Sequence, residues 1–367
     1  MGKVSVVRTD QGIRESLIRS LDLIGGLGAY VSRSDSVLLK PNLNGADVYT
    51  NKELVGSLIE LLLDFGVGRV VIAESTFGTA GTTKSFFEKT GYVELAKRYC
   101  IDLINLNESE AVEVPVKNPL VLEKLIIAKE VFEADKLINL PNMKVHYATG
   151  VSLALKNLKG LLVRGEKRYF HEVGLDDAIV DLNNTIGADL NIIDSISCME
   201  RMGPHWGDIV DLNLLIAGGS RAEVDLVGCQ IMGYDIGEVK HLHRYVEING
   251  IEFGGLEVVG ERIEDVRHPL KKVSMDSLIP DEFTIHDINA CSTCMNAFLI
   301  SCRVLQGKPN RRVDVYMGSR VEDSSEGLRV TFGNCCTAQF DGDKQIKGCP
   351  PYPFALGEVL REILDID

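Results

Sequence analysis

Apolar residues recur along roughly the first 235 positions of the chain in two alternating rhythms. Val37-Leu38-Leu39-Lys40 is a short β-rich run that meets Pro41, and a proline pushes its predecessor into extended geometry, so a strand feeding a loop is expected. Thr50-Asn51-Lys52-Glu53 follows with capping-box spacing, and Leu54, Leu58, Leu61 and Leu62 recur at helical intervals until Gly66. Val70-Val71-Ile72-Ala73 predicts the next strand, and strand, helix and strand in succession are the signature of a parallel βαβ unit. The same reading predicts strands over 136–140, 190–193 and 212–217 and helices over 150–162, 175–184 and 221–232. The expected fold is α/β, with an open, mostly parallel sheet and helices on both faces.

From Gly233 to about Pro280 the rhythm changes. Residues 250–259 read as a hairpin and 261–268 as a polar loop, which together suggest a transition segment over 233–280. A compact α/β unit follows over 281–367, with strands at 283–286, 313–317 and 328–332 and helices over 296–305 and 354–364. The expected domains are therefore 1–280 and 281–367.

Charged residues at 25% and hydrophobic residues at 45% are ordinary for a globular protein and argue against disorder. A formal net charge of -14 argues against nucleic acid as a partner, since phosphate binding needs a basic face. The opening MGKVSVVRTDQG has no apolar signal region, and no run approaches the roughly 20 apolar residues of a membrane helix. These features predict a cytoplasmic protein with no membrane partner. Nine cysteines, an odd number, point to a reducing compartment in which thiols bind metal or stay buried. Cys100, Cys198 and Cys229 stand alone in apolar contexts and read as small buried hydrophobes.

The other six cysteines lie after residue 290, in Cys291-x-x-Cys294, Cys302, Gly333-Asn334-Cys335-Cys336 and Gly348-Cys349-Pro350-Pro351-Tyr352-Pro353. A Cys-x-x-Cys pair at a strand-to-helix turn presents two thiolates to one metal centre. On a continuous helix Cys302 would stand about 12 Å further along the axis, too far for a cubane to bridge, so it reads as a core thiol. Cys335 directly follows a strand and Cys349 sits in a loop stiffened by two prolines, which makes them the better remaining ligands, with Cys336 as a substitute for Cys335. In this order the motifs resemble the proximal-cluster site of nickel-iron hydrogenase small subunits and the related complex I subunit. The resemblance covers about 60 residues and implies a 4Fe-4S cluster on Cys291, Cys294, Cys335 and Cys349. No nickel-site subunit accompanies it, so hydrogenase activity does not carry over. A tetrahedral zinc on the same thiolates is the alternative.

In an open α/β sheet, ligands bind outside the carboxyl ends of the strands. Polar residues gather at those expected ends: Lys40, Asn42 and Asn44; Glu74, Ser75 and Thr76; Asn142, Lys144 and His146; Asp194 and Glu200; and Gly218-Gly219-Ser220-Arg221. Lys40 and Lys144 could hold a carboxylate or phosphate, helped by the amides of a helix starting near Gly150, unless they are solvated loop charges. His146 is a candidate general acid or base, being the side chain that titrates near neutrality, or else a structural histidine. Lys156 and Lys159 are three apart on one helical face, and with Lys167, Arg168 and His171 they add positive charge to an acidic chain. This suggests either a small anionic substrate or a solvated face. Glu74 and Asp194 could bind a divalent ion or shuttle a proton, or cap helices. Gly218-Gly219-Ser220 could cradle phosphate, although neither the P-loop nor the dinucleotide glycine pattern is present. Lys40, Lys144 and His146 are the catalytic candidates, and Asn42, Asn44, Glu74, Ser75, Asn142 and Lys156 the substrate-binding ones.

Taken together, Leu38-Leu39-Lys40-Pro41-Asn42-Leu43-Asn44, Asn139-Leu140-Pro141-Asn142-Met143-Lys144-Val145-His146, the stretch from Gly150 to Gly160 and Gly174-Leu175-Asp176-Asp177-Ala178-Ile179-Val180-Asp181-Leu182-Asn183 resemble the domain of unknown function family 362 over roughly residues 35–235. Many members of that family look like iron-sulfur proteins with a ferredoxin-type tail. This chain departs from them by carrying the hydrogenase-like ligand set instead of a ferredoxin repeat. The resemblance implies an iron-sulfur protein, expected to be an oxidoreductase that acts on a small anionic molecule and exchanges electrons with a partner protein, with a homodimer as a further option. A four-thiolate site leaves the iron coordinatively closed and favours electron transfer over direct substrate activation. The alternatives are a non-enzymatic electron carrier or redox sensor, and a zinc-stapled enzyme without redox chemistry.

Overall fold

The computed structural model of the chain describes residues 2–45, 47–163, 165–274, 278–288, 290–304, 309–319 and 327–364. The chain divides into two compact units, one made of Met1–Phe170 and Asp176–Val273, the other of His171–Leu175 and Ser274–Asp367. Among the described residues no helix is long and apolar enough to cross a membrane.

The first unit runs β1 (Lys3–Arg8), α1 (Ile13–Leu23), β2 (Ser36–Pro41), α2 (Lys52–Phe65), β3 (Arg69–Glu74), α3 (Ala80–Lys89), α4 (Tyr92–Tyr99) and β4 (Asp102–Asn105). A small hairpin of β5 (Ala111–Pro115) and β6 (Lys124–Ala128) precedes α5 (Glu130–Glu133) and β7 (Lys136–Leu140). Then come β8 (Asn142–His146), β9 (Gly150–Ser152), α6 (Ala154–Asn157), α7 (Glu166–Val173), α8 (Leu175–Thr185), β10 (Leu190–Glu200) and β11 (Asp208–Gly218). The unit ends with α9 (Arg221–Met232), α10 (Lys240–Asn249), β12 (Glu257–Gly260) and α11 (Ile263–Val266). The central sheet has the order β12-β1-β11-β10-β7-β2-β3-β4, with β8 beside β10 and β9 beside β8. It is mostly parallel. Only the pairs made by β11 with β1 and β10, and by β9 with β8, run antiparallel.

Alternation along the strands builds a core on each face. Val37 and Leu39 of β2 and Ile192 of β10 join Leu17, Leu58, Leu62 and Tyr92 in one cluster, which brings α1, α2 and α4 onto that face. Ile193, the next residue of β10, points the other way, toward Gly228 of α9, where an added Cβ would stand 3.5 Å from its Cδ1.

Several local expectations are corrected. Asn51, not Thr50, caps α2, accepting from the amide of Glu53 at 2.8 Å. Thr50 is buried and donates instead to the carbonyl of Leu140 at 2.6 Å. The expected helix over 150–162 is a short strand, the single turn of α6 and a 3-10 turn over Leu158–Leu161. Gly150, at φ 73, closes the β8–β9 hairpin. The run that follows is buried all round, so its helical spacing carried no helix-facing stripe. The supposed hairpin over 250–259 is one strand, β12, parallel to β1, and it follows a helix, α10, so the segment after Gly233 belongs to the first unit's sheet. The polar stretch 261–268 contains α11.

The second unit contains β13 (Phe283–Ile288), α12 (Ser292–Val304), β14 (Val313–Gly318), β15 (Leu328–Phe332), α13 (Asn334–Thr337), β16 (Lys344–Ile346) and α14 (Ala355–Leu364). Its four strands are all parallel in the order β13-β14-β15-β16. Phe298, Val313, Val315, Val330, Phe332, Leu356 and Leu360 fill its core. Cys302 lies in that core on α12.

Asp225 of α9 ties the short α6 in place, because its buried carboxylate accepts from the amides of Ala154 at 2.6 Å and Leu155 at 2.9 Å. Asp225→Ala leaves two buried donors without acceptors and is expected to destabilise the first unit by about 1–3 kcal/mol in urea titrations. Asp225→Asn, which keeps one acceptor oxygen, should lose less.

Candidate functional site

The strand order contains a point where the direction of the connections changes. From β2 the chain moves to β3 and β4 on one side, and from β7 it moves to β10 on the other, so neighbouring β2 and β7 form a topological switch point. The polar residues singled out in the sequence gather at the carboxyl ends of these strands.

Most of them are buried and bound by the protein itself. Lys40 and Glu74 are 0% and 2% exposed and pair at 2.7 Å; the same ammonium donates to the carbonyl of Pro41 at 2.6 Å. Lys40 is thus the last lysine of a strand and not a loop charge. Burial pulls its pKa down, and the adjacent carboxylate of Glu74 pulls it back up. Gly160 covers the pair so closely that a Cβ there would stand 2.2 Å from Glu74 Oε1 and 2.4 Å from Lys40 Nζ. Only glycine fits at that point.

Asn142, Lys144 and His146, expected in a loop, continue past Pro141 as β8, all five residues of which are buried. Lys144 Nζ donates to Val48 O at 2.6 Å, Asn42 Oδ1 at 3.0 Å and Asn44 O at 3.4 Å. Three neutral oxygens match the three donors of an ammonium, while burial first and the charge of Lys156 second push the pKa down to about 7. Both protonation states are therefore populated near neutrality.

A chain of amides lies beneath these lysines. Asn42 donates to Asn157 at 2.9 Å, Asn157 to Asn139 at 2.8 Å, Asn139 to Asn191 at 3.0 Å, and Asn191 to the carbonyl of Gly219 at 3.1 Å. Asn139, Asn157 and Asn191 were not among the candidate site residues, although Asn139 and Asn157 stand within the family-like stretches; Asn139 and Asn191 interrupt apolar runs, whereas Asn157 lies between Lys156 and Leu158. Asn44 accepts from the amide of Phe77 at 3.1 Å, and Asn142 donates to Ser197 O at 2.9 Å. Ser75 donates to the carbonyls of Gly160 and Leu162 at 2.9 and 2.7 Å and accepts from Lys167. His146 accepts through Nδ1 from the amide of Ala148 at 3.1 Å and stacks on Tyr147. These candidates are brought together, chiefly as the frame of the site.

Asp194 accepts from the amides of Asn51, the residue that caps α2, at 2.6 Å and of Ile196 within β10 at 3.0 Å, so it caps no helix itself, and burial pushes its pKa up to about 6. Glu200 turns to Lys271, at 2.9 Å, and Ser220 caps α9. No amide pair at α6 is available to an anion, because Asp225 occupies both. Lys156, Lys159 and Lys167 complete the cationic cluster. Burial, then like charge on Lys156 and Lys167, depresses Lys159, whose ammonium lies 5.8 Å from the ring centroid of Phe170. Lys167, held by Ser75 and the carbonyl of Thr76, is pushed by burial to about 7, and Lys156 to about 8. His205, in the β10–β11 connection, was missed. It borders Lys144 and Lys156, and its signal was the stretch Met202-Gly203-Pro204-His205-Trp206-Gly207 between two β-rich runs.

The second unit brings its cysteines to one sheet edge. Cys291 follows β13, Cys335 and Cys336 follow β15, and Cys349 follows β16; in a parallel sheet these are all carboxyl ends. Asn334 and Gly348 clip two of these segments together, with the Asn334 amide donating to Gly348 O at 2.9 Å and the Gly348 amide to Asn334 Oδ1 at 2.7 Å. The hydrogen bond of Cys294 to Cys291, then burial, then the charges of Cys291, Cys349 and Cys335 push its thiol up. Cys291 is pushed down to about 5 by hydrogen bonds from the Cys294 thiol and the Thr293 hydroxyl, which stands 2.8 Å away. A Cβ on Gly333 would lie 3.0 Å from Cys294 Sγ. Cys335 is exposed, whereas Cys336 is buried beside the backbone of Phe332. Among the described residues no three His, Cys, Asp or Glu side chains are already closed around one point.

Glu74→Ala strands the buried Lys40 charge and should cost about 3–5 kcal/mol, most of it recovered in the Lys40→Met/Glu74→Leu double variant. The pH dependence has a definite sign. Lys144, Lys167 and Lys156 titrate near 7, 7 and 8 when folded and near 10.5 when unfolded. The unfolded chain therefore binds more protons above about pH 7, and stability from this source rises from there toward about pH 10. Urea midpoints of the first unit should increase between pH 7 and 9, with a shallower increase in Lys144→Met.

Comparison with known proteins gives the chain its relatives. A thylakoid-associated protein of Synechocystis sp. is 31% identical over 249 residues, covering 63% of this chain and 75% of that protein. A lactate racemase apoprotein from Thermoanaerobacterium thermosaccharolyticum superposes with a TM-score of 0.43 at 13% identity, over 86% of this chain and 69% of that one. A Thermotoga maritima protein does so with a TM-score of 0.40 at 14% identity, over 65% of this chain and 58% of that one. The family model described as domain of unknown function (DUF362) matches residues 37–230, the segment that carries β2, β7, β8 and the buried lysines, and the chain belongs to that family.

Proposed function

We propose that the chain is an iron-sulfur oxidoreductase whose first unit binds a small anionic molecule at the β2/β7 switch point and whose second unit holds a 4Fe-4S cluster on Cys291, Cys294, Cys335 and Cys349. The observation that carries the cluster is the convergence of three cysteine segments on the carboxyl edge of one small parallel sheet, where Cys294 lies within electrostatic reach of the other three thiols. The donor set suits the group. Thiolate is the form that metals bind, the hydrogen bonds at Cys291 favour it, and Gly333 leaves room beside Cys294. When bound, a cluster ligated by four thiolates supplies one-electron transfer.

The anion site rests on five lysines, Lys40, Lys144, Lys156, Lys159 and Lys167, linked by mutual electrostatic influence in a chain whose net charge is -14. Lys40 is compensated by Glu74, while Lys144 and Lys167 are met by neutral oxygens, so positive potential remains at the strand ends. Within this frame Lys156 binds the anion and Lys144 sustains the positive field around it. Ser75, Asn42 and Asn142 hold the lysine-bearing strands in place.

Anaerobic purification followed by iron, sulfide and zinc analysis and by electron paramagnetic resonance of the reduced protein tests the cluster. About four irons and four sulfides per chain with a reduced-cluster signal are expected. Cys291→Ala, Cys294→Ala, Cys335→Ala and Cys349→Ala should each lose the signal, with Cys302→Ala and Cys336→Ala retaining it. One zinc per chain without iron would replace this reading by a zinc-stapled one.

A further inference from the structure

Within the first unit's cationic cluster, most nitrogen groups are used by the protein. Glu74 takes Lys40, Val48 and Asn42 take Lys144, and Ser75 and Thr76 take Lys167. Two groups differ. Among the described residues neither the ammonium of Lys156 nor either ring nitrogen of His205 has a hydrogen-bond partner, and neither side chain's polar atoms are sealed from solvent. Lys156 and His205 also lie within electrostatic reach of each other and of Lys144.

His205 is brought there by a tightly seated turn. The connection between β10 and β11 docks on β8, where the amide of Tyr147 donates to Gly203 O at 3.2 Å. A Cβ on Gly203 would stand 2.0 Å from Val145 O, and one on Gly45 would stand 2.9 Å from Lys144 Nζ and 3.2 Å from Pro204 O. The turn, the β2–α2 loop and Lys144 therefore meet at one place, with His205 presented beside them.

We propose that His205 is a ligand-contacting residue of the switch-point site, donating a ring N–H hydrogen bond to a hydroxyl or carbonyl oxygen of a small carboxylate whose anionic group pairs with Lys156. This rests on the reading of that site as anion-binding and adds what the anion carries beside its charge. The groups facing the ring are Lys144 of β8, Lys156 of α6 and Asp47 of the β2–α2 loop. Burial, Lys144 and Lys156 outweigh Asp47 and press the pKa down to about 4, so at neutral pH the ring offers one donor and one acceptor and no charge. A neutral donor is matched by a neutral oxygen, and a site built around such a bond discriminates against ligands that lack it. Carboxylate is favoured over phosphate because the first amides of α6, the helix that carries Lys156, are already taken: Asp225 holds those of Ala154 and Leu155.

Acetate and glycolate carry equal charge and differ by one hydroxyl, which makes them suitable probes for calorimetric titration of the full chain at pH 7. Glycolate should bind about tenfold more tightly than acetate. His205→Phe should bring the two within about twofold while leaving acetate affinity nearly unchanged, His205→Gln should restore part of the preference, and Lys156→Met should weaken both anions. A preference that survives in His205→Phe overturns the role of His205 and leaves the anion site standing. Failure of both anions to bind the unsubstituted protein removes the anion site and this inference with it. Nitrogen resonances of histidine-labelled protein give an independent reading that needs no variant: the His205 ring should remain neutral at pH 5.5, and a protonated ring there contradicts the proposal.

Discussion

Buried ammonium charge is the constraint on which the first unit depends. Removing one charged group from water costs several kcal/mol even after relaxation, and Lys40, Lys144, Lys159 and Lys167 are all buried close to the β2 and β7 strand ends. The surrounding structure offsets that cost with oxygen atoms at fixed positions. Pro41, Val48 and Thr76 turn carbonyls toward the lysines, Asn42 and Ser75 turn side-chain oxygens, and Glu74 supplies a direct counter-charge to Lys40. The amide chain through Asn157, Asn139 and Asn191 then fixes Asn42 in the one orientation that offers its oxygen to Lys144. A frame of this kind has little freedom to move.

The parts of this arrangement that the sequence revealed are the local ones. Runs such as Val37-Leu38-Leu39 and Val70-Val71-Ile72 are buried on both sheet faces, and their continuous apolar character marked them as strands of a parallel sheet. Strand-end reasoning also named residues that the fold brings together, Lys40, Asn42, Glu74, Ser75, Asn142 and Lys144. Their state was not legible. Lys144 followed a proline and a polar residue and so read as a loop, yet β8 is completed by pairing with β10 and β9, from distant and later parts of the chain. The 150–162 segment shows the same limit. Its leucines have helical spacing, but its amides are claimed by Asp225, about 70 residues away, and no local pattern contains that partner.

His205 illustrates a different kind of blindness. A histidine is placed from sequence by the element that carries it, and here the carrier is a turn whose path is set by glycines pressed against β8 and β10. The amino acids that position His205 are thus the ones with no side chain. Strand-end reasoning looked only at residues directly after parallel strands, whereas this turn joins two antiparallel ones, β10 and β11, that extend well beyond their expected lengths.

The same edge rule organises the second unit with different chemistry. Parallel strands deliver the loop that leaves each strand to the same edge, so cysteines far apart in sequence arrive together without any need for local clustering. Helical geometry then separates Cys335 from Cys336. Both lie in the single turn of α13, and consecutive residues of a helix point about 100° apart, so neighbours cannot face the same centre. Cys336 faces inward, fully buried against the backbone of Phe332, while Cys335 is turned out toward the edge where Cys294 senses its charge. The clip between Asn334 and Gly348 sets the phase of that turn, because Asn334 is the first residue of α13 and its amide and side chain are both fixed to the loop that carries Cys349. Cys335 and Cys349 are therefore oriented by one shared pair of hydrogen bonds, and the backbone presents Cys335, not Cys336, at that edge.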